Sequence, residues 1–100
     1  MTQDLYVVAI LTAKPGKADD LRALLLPAVE AFRQEDGCSA YALHEDTERP
    51  GRFVSYEVWR DRGALDQHMT SPTMREATQK LKDLLEKEME QYLLELLLQL

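Results

Sequence analysis

Residues 37–69, GCSAYALHEDTERPGRFVSYEVWRDRGALDQHM, decide how the rest of the chain is read. Two alternating runs, 38–45 (CSAYALHE) and 52–59 (RFVSYEVW), flank the polar segment DTERPG at 46–51. A period of two marks strands, and a polar loop carrying Pro-Gly is hairpin chemistry. In the first run Tyr41 and Leu43 share a face, opposite Ala40, Ala42 and His44. In the second, Phe53, Ser55, Glu57 and Trp59 share a face, opposite Val54, Tyr56 and Val58. Glu57 therefore stands among aromatics, where a carboxylate is paired, near water or shifted in pKa. Asp61 is an N-cap for a short helix ending at Met69, with Leu65 and Met69 turned inward.

Upstream of the hairpin, residues 5–12 (LYVVAILT) are β-branched and aliphatic on both faces, which predicts a central strand. Lys14-Pro15-Gly16 turns the chain. Leu21, Leu25, Ala28 and Phe32, widened by Leu24 and Val29, form the apolar stripe of a helix over 17–35. Pro27 removes a backbone donor and predicts a curved helix or one broken in two. Gly37 suits a left-handed cap at its end.

Downstream, Ser71-Pro72 restarts the chain as a second long helix, with Met74, Ala77, Leu81, Leu84 and Leu85 on one stripe. The leucine-rich end is readable as more helix, but such a helix is apolar nearly all round. A strand over about 90–97 completes a sheet and packs on another subunit, and that reading is preferred here.

One hundred residues with a formal net charge of −6 predict one domain, 1–100, with a small core. An acidic chain without a basic cluster predicts no nucleic-acid partner and no anionic membrane surface. The single cysteine, Cys38, excludes an intrachain disulfide and a cysteine-based metal cluster, and fits a reduced, cytoplasmic location. No leader-like segment and no membrane-spanning apolar run is read in the sequence. The two histidines have no ligand-spaced companions, so no metal is expected.

The resulting order is β-α-β-β-α-β, with a short helix before the second long one. This is an α+β, ferredoxin-like fold, an antiparallel sheet with helices on one face. The other sheet face needs cover, and a second copy of the chain supplies it, predicting a homodimer.

Together, Gly37-Cys38, Tyr41, Leu43-His44, Asp46, Arg52-Phe53-Val54, Glu57, Trp59, Ala64-Leu65, His68 and Ser71-Pro72 form an ordered set. This set resembles the antibiotic biosynthesis monooxygenase domain family, and with the first strand and Lys14-Pro15-Gly16 the resemblance covers essentially the whole chain. It implies a dimeric α+β barrel of two sheets packed face to face, the last strand reaching across to the partner. The family includes cofactor-independent oxygenases of quinols and phenols, and haem-degrading enzymes. The haem-degrading branch carries an asparagine on the first strand and a histidine late on the second long helix. This chain has neither, so the resemblance points to the quinol-oxidising branch. His68 and Trp59 match positions near the pocket of that branch.

Oxygenation without metal, flavin or other cofactor needs a base, a dry cavity and donors that hold an anion. His68 is the candidate base, since an unperturbed imidazole titrates at about 6.5. Trp59 is a candidate wall and indole donor; Tyr41, Tyr56 and Glu57 are candidates for orienting a small aromatic substrate. Each has a plainer reading. A lone helical histidine is more often packed or at the surface than a base, a tryptophan is more often core, and both tyrosines serve structure as readily. Two classes follow: a cofactor-independent monooxygenase of a small aromatic quinol or phenol, and a non-catalytic dimeric barrel that binds a small apolar ligand or acts as an accessory subunit.

Overall fold

The β-branched run forms the first strand, β1 (Leu5–Thr12), in a computed structural model that describes residues 4–99. It is followed by α1 (Ala18–Phe32), β2 (Cys38–Glu45), β3 (Arg52–Trp59), α2 (Arg62–Met69), α3 (Pro72–Leu81) and β4 (Glu90–Leu94). The sheet order is β2-β3-β1-β4, with every neighbouring pair antiparallel. β1 is central, as its two apolar faces predict. Leu5 stands opposite Trp59 and Thr12 opposite Arg52, while Tyr6 pairs with Leu94 on the other side. This is the ferredoxin-like α+β arrangement expected from the sequence. Residues 1–3 and Leu100 of the expected domain lie outside the described residues.

The core lies between one sheet face and the helices. Val7, Ala9 and Leu11 of β1, with Phe53 and Trp59 of β3, meet Leu21, Leu25, Ala28, Val29 and Phe32 of α1. The opposite face carries Tyr6, Val8 and Ile10 beside Val58, Tyr56 and Val54. Tyr56 is 44% exposed there, and Tyr92 of β4 48%. Side chains alternate across a strand, so the residues between those that face the helices form the opposite face. No helix among the described residues is long and apolar enough to cross a membrane.

Of the two outcomes expected at Pro27 the break does not occur, and α1 passes through it. Pro27 and Ala23, whose carbonyl loses its helical partner, are both exposed, so the missing bond falls on the solvent side of the helix. Three expected boundaries differ, at the ends of α1, α3 and β4. α1 ends at Phe32, and Gln34 and Glu35 donate to Ala31 and Phe32 in tighter turns. Gly37 is left-handed, with φ 83°, but it serves the turn into β2 rather than the helix end.

α3 ends at Leu81, so Leu84 and Leu85 do not continue its stripe. Their segment lies along the end of β1 instead: Lys14 N–H donates to Leu84 O at 2.8 Å, and Glu86 N–H to Thr12 O at 2.8 Å. Both leucines still pack on the Leu11–Phe53 cluster. The helical period thus persisted in the sequence while pairing with β1 took the backbone. The tail is a strand, as preferred, but it stops at Leu94 rather than residue 97. Its last pair with β1 is Leu94 with Tyr6, one residue short of the start of that strand. Leu97, beyond it, is 89% exposed.

Candidate active site

His68 comes from the last turn of α2. Asp61 caps that helix by accepting from Ala64 N–H at 2.9 Å, and this fixes where its first turn starts. The helix rests on the turn before β2 so closely that a Cβ on Gly37 would stand 2.5 Å from that of Ala64. Only glycine permits both this approach and the positive φ. One turn further on, the His68 ring enters the core and is 2% exposed.

Its surroundings are specific. The Trp59 ring lies at 4.5 Å between centroids, tilted by 30°, Phe32 presents an edge at 4.5 Å, and Tyr41 lies at 5.9 Å. Nδ1 stands 2.7 Å from Glu35 Oε1. A carboxylate only accepts, so Nδ1 carries the proton and donates it to Glu35, leaving Nε2 as the basic nitrogen.

A second polar group lies on β3. Glu57 is buried; Ser55 O–H donates to its Oε2 at 2.7 Å and Trp59 Nε1–H donates to its Oε1 at 2.9 Å. The pairing expected for a carboxylate among aromatics is therefore present. Tyr41 stands across from Glu57 in the sheet. Burial, with the Glu57 carboxylate beside it, pushes the Tyr41 phenol well above its ordinary range, so Tyr41 is a neutral donor at physiological pH.

His68, Glu57, Ser55 and Tyr41 line one cavity between sheet and helices, together with Met74, Met89 and Gln91. Its volume is about 30 Å³. In that measure a water needs roughly 10–15 Å³, whereas ligand pockets run to about 300–1,000 Å³. A cavity of that volume admits water or O₂ but not an aromatic ring.

Four of the five candidates read from the sequence thus come together, and one does not. Tyr56 points from the opposite sheet face, against Tyr6 at 6.3 Å between rings, because it alternates with Glu57 along β3. Trp59 backs His68 rather than lining the cavity, and its indole N–H is held by Glu57 instead of being free for a ligand. Two residues were not singled out in the sequence. Glu35, just past α1, reads as an ordinary helix-end charge, and Gln91 reads as one polar residue of a strand. Gln91 lines the cavity, and its amide N–H donates to Met69 Sδ at 3.6 Å. Nothing local marks either one. Among the described residues no group of three His, Cys, Asp or Glu side chains gathers to hold a metal.

Comparison with known proteins adds to this geometry. The family model described as Antibiotic biosynthesis monooxygenase matches residues 4–80. An uncharacterised protein of Synechocystis, sll1783, is 37% identical over 83% of this chain, which spans 56% of that relative's length. Rv0793 of Mycobacterium tuberculosis is 40% identical over 72% of this chain and 70% of its own. Its solved structure superposes with a TM-score of 0.90, covering 97% of this chain and 98% of that one, at 32% identity. A crystal structure described as an antibiotic biosynthesis monooxygenase gives a TM-score of 0.88 at 32% identity, over 93% of this chain and 98% of that one.

Proposed function

We propose, for a chain that belongs to the antibiotic biosynthesis monooxygenase family, a cofactor-independent oxygenation of a small aromatic quinol or phenol at the His68 cavity. The observation that carries this reading is the buried imidazole, aligned by Glu35 and facing an apolar cavity that also holds the Glu57 carboxylate.

In this mechanism Nε2 of His68 takes a phenolic proton. The electron-rich anion passes one electron to O₂, and the two radicals join at a ring carbon. The peroxide anion takes the proton back from the imidazolium. The O–O bond then breaks as the ring carbon loses its hydrogen, leaving C=O and releasing water. One oxygen atom enters the product and the other leaves as water; the substrate supplies all four electrons. Glu35 balances the imidazolium while it exists. The apolar walls exclude water from the radical pair.

The acting unit in this reading is a homodimer of single domains. The apolar outer sheet face with Tyr56 and Tyr92 supports it, as does the exposed tail beyond Leu94. The second reading, a barrel that binds a small apolar ligand without reaction, draws support from the apolar side chains that line most of the cavity. Oxygen uptake with a panel of hydroquinones, corrected for spontaneous autoxidation, tests between them. Uptake that depends on His68 supports the oxygenase; uptake equal in wild type and His68→Ala leaves the binding protein.

A further inference from the structure

The cavity is too small for the ligand class it suits, so part of its wall has to move. Its neighbours identify which part. An open groove of about 450 Å³ lies between α3 and the segment that follows it, and it shares Leu81 and Met89 with the cavity. A second groove, of about 190 Å³, runs between α1 and α3 and shares Ala28 and Ala77. These two partitions are physically unlike. Ala28 and Ala77 are buried, lie on regular helices and have no side-chain torsion to swing aside. Opening there separates two packed helices. Leu81 is the last residue of α3 and Met89 directly precedes β4; both are half-buried, reaching inside and outside at once. Methionine has three rotatable bonds and no branch, so it changes rotamer at little cost.

The geometry points to Met89, with Leu81, as the gate through which a flat aromatic ligand passes from the outer groove to His68. Met89 is then a specificity-determining side chain, because its swing sets the width of the route. This inference rests on the proposed binding of an aromatic molecule in the cavity. Removing the Met89 side chain beyond Cβ joins cavity and groove. A stiff, β-branched side chain in its place narrows the passage.

Trp59 is the only tryptophan and lies against His68, so its fluorescence reports entry directly, without turnover. The probe is 2,3-dimethyl-1,4-naphthoquinone, a quencher with no ring position open to thiol addition, mixed with the full chain in stopped flow. Met89→Ala is expected to raise the association rate by about five-fold or more and Met89→Ile to lower it, since a required rearrangement is what holds such rates down. Leu24→Ala, in the groove between α1 and α3, is expected to leave the rate unchanged. Quenching with the same association rate in wild type, Met89→Ala and Met89→Ile overturns the gate while the binding reading stands. A rise with Leu24→Ala equal to that with Met89→Ala moves the route to the other groove and equally overturns it. No quenching in wild type or Met89→Ala overturns the binding reading and the gate together. Quenching in Met89→Ala alone supports a gate that is closed in the native chain.

Discussion

His68 Nδ1 and Glu35 Oε1 are 2.7 Å apart although the residues are separated by 33 positions in the chain. A neutral imidazole held this way presents Nε2 in a fixed direction, and an imidazolium formed during reaction finds its counter-charge in place. Glu35 is accordingly a positioning residue rather than a catalytic one in the proposed chemistry.

Replacing His68 by Ala is expected to lower turnover of a hydroquinone by ~10²–10⁴-fold, the usual contribution of a positioned base. Glu35→Ala is expected to lower kcat by about 10–100-fold, the rate equivalent of one charge-assisted hydrogen bond, with KM nearly unchanged. Glu35→Gln restores an acceptor without the charge and falls between. Steady-state oxygen uptake measures all three; wild-type kcat in Glu35→Ala removes Glu35 from the mechanism.

Glu57 holds two buried donors, Ser55 O–H and Trp59 N–H. Glu57→Ala strands both, at about 1–3 kcal/mol each. Urea unfolding followed by Trp59 fluorescence is expected to show a lowered midpoint with an unchanged slope. Ser55→Ala leaves Glu57 one donor short and is expected to cost less. Equal stability of Glu57→Ala and wild type refutes a structural role for the carboxylate.

Tyr41 makes stability fall in alkali. Its phenol pKa is raised in the folded chain, chiefly by burial and then by the Glu57 charge. Above the ordinary tyrosine value of about 10, the unfolded chain gives up this proton while the folded chain keeps it. The contribution is therefore complete below about pH 10 and is lost as the pH rises further toward the folded value. In Tyr41→Phe the fall in melting temperature above pH 10 should be shallower than in wild type. Identical slopes assign the loss to other groups.

The outer sheet face should join two copies. At micromolar concentration light scattering is expected to give twice the chain mass, and Tyr56→Glu, which sets a charge among Tyr6, Val8 and Val58, to shift it toward the monomer. Truncation after Leu94 removes the exposed leucines of the tail and should weaken the dimer in the same assay. A wild-type monomer, or a Tyr56→Glu dimer as tight as wild type, excludes this face as the interface.

Much of the molecule was legible before any coordinates. The hairpin, the Asp61 and Ser71 caps and the central β1 follow from signals a few residues long: alternation, β-branched runs, capping side chains and turn residues; the terminal strand was only preferred over a helix that would be apolar nearly all round. Even the Glu57–Trp59 contact was within reach, because residues two apart on a strand share a face. The same local signals failed at Leu84 and Leu85. Their spacing continued the helix, but the end of β1 offered backbone partners from far along the chain.

What only the tertiary structure decided are the relationships between distant segments. Glu35 meets His68 because Gly37 lets α2 close on the turn before β2, and no pattern at either residue announces it. Tyr56 was separated from the cavity by the sheet itself, since only the packing of the helices determines which strand face becomes the interior. The cavity's volume and the placing of Met89 between it and the outer groove depend on how α3 and β4 close over the sheet. The sequence determined the elements and their faces, because periods and caps act over one or two turns. The structure decided which faces meet, because side-chain packing and backbone pairing are settled across the whole chain at once.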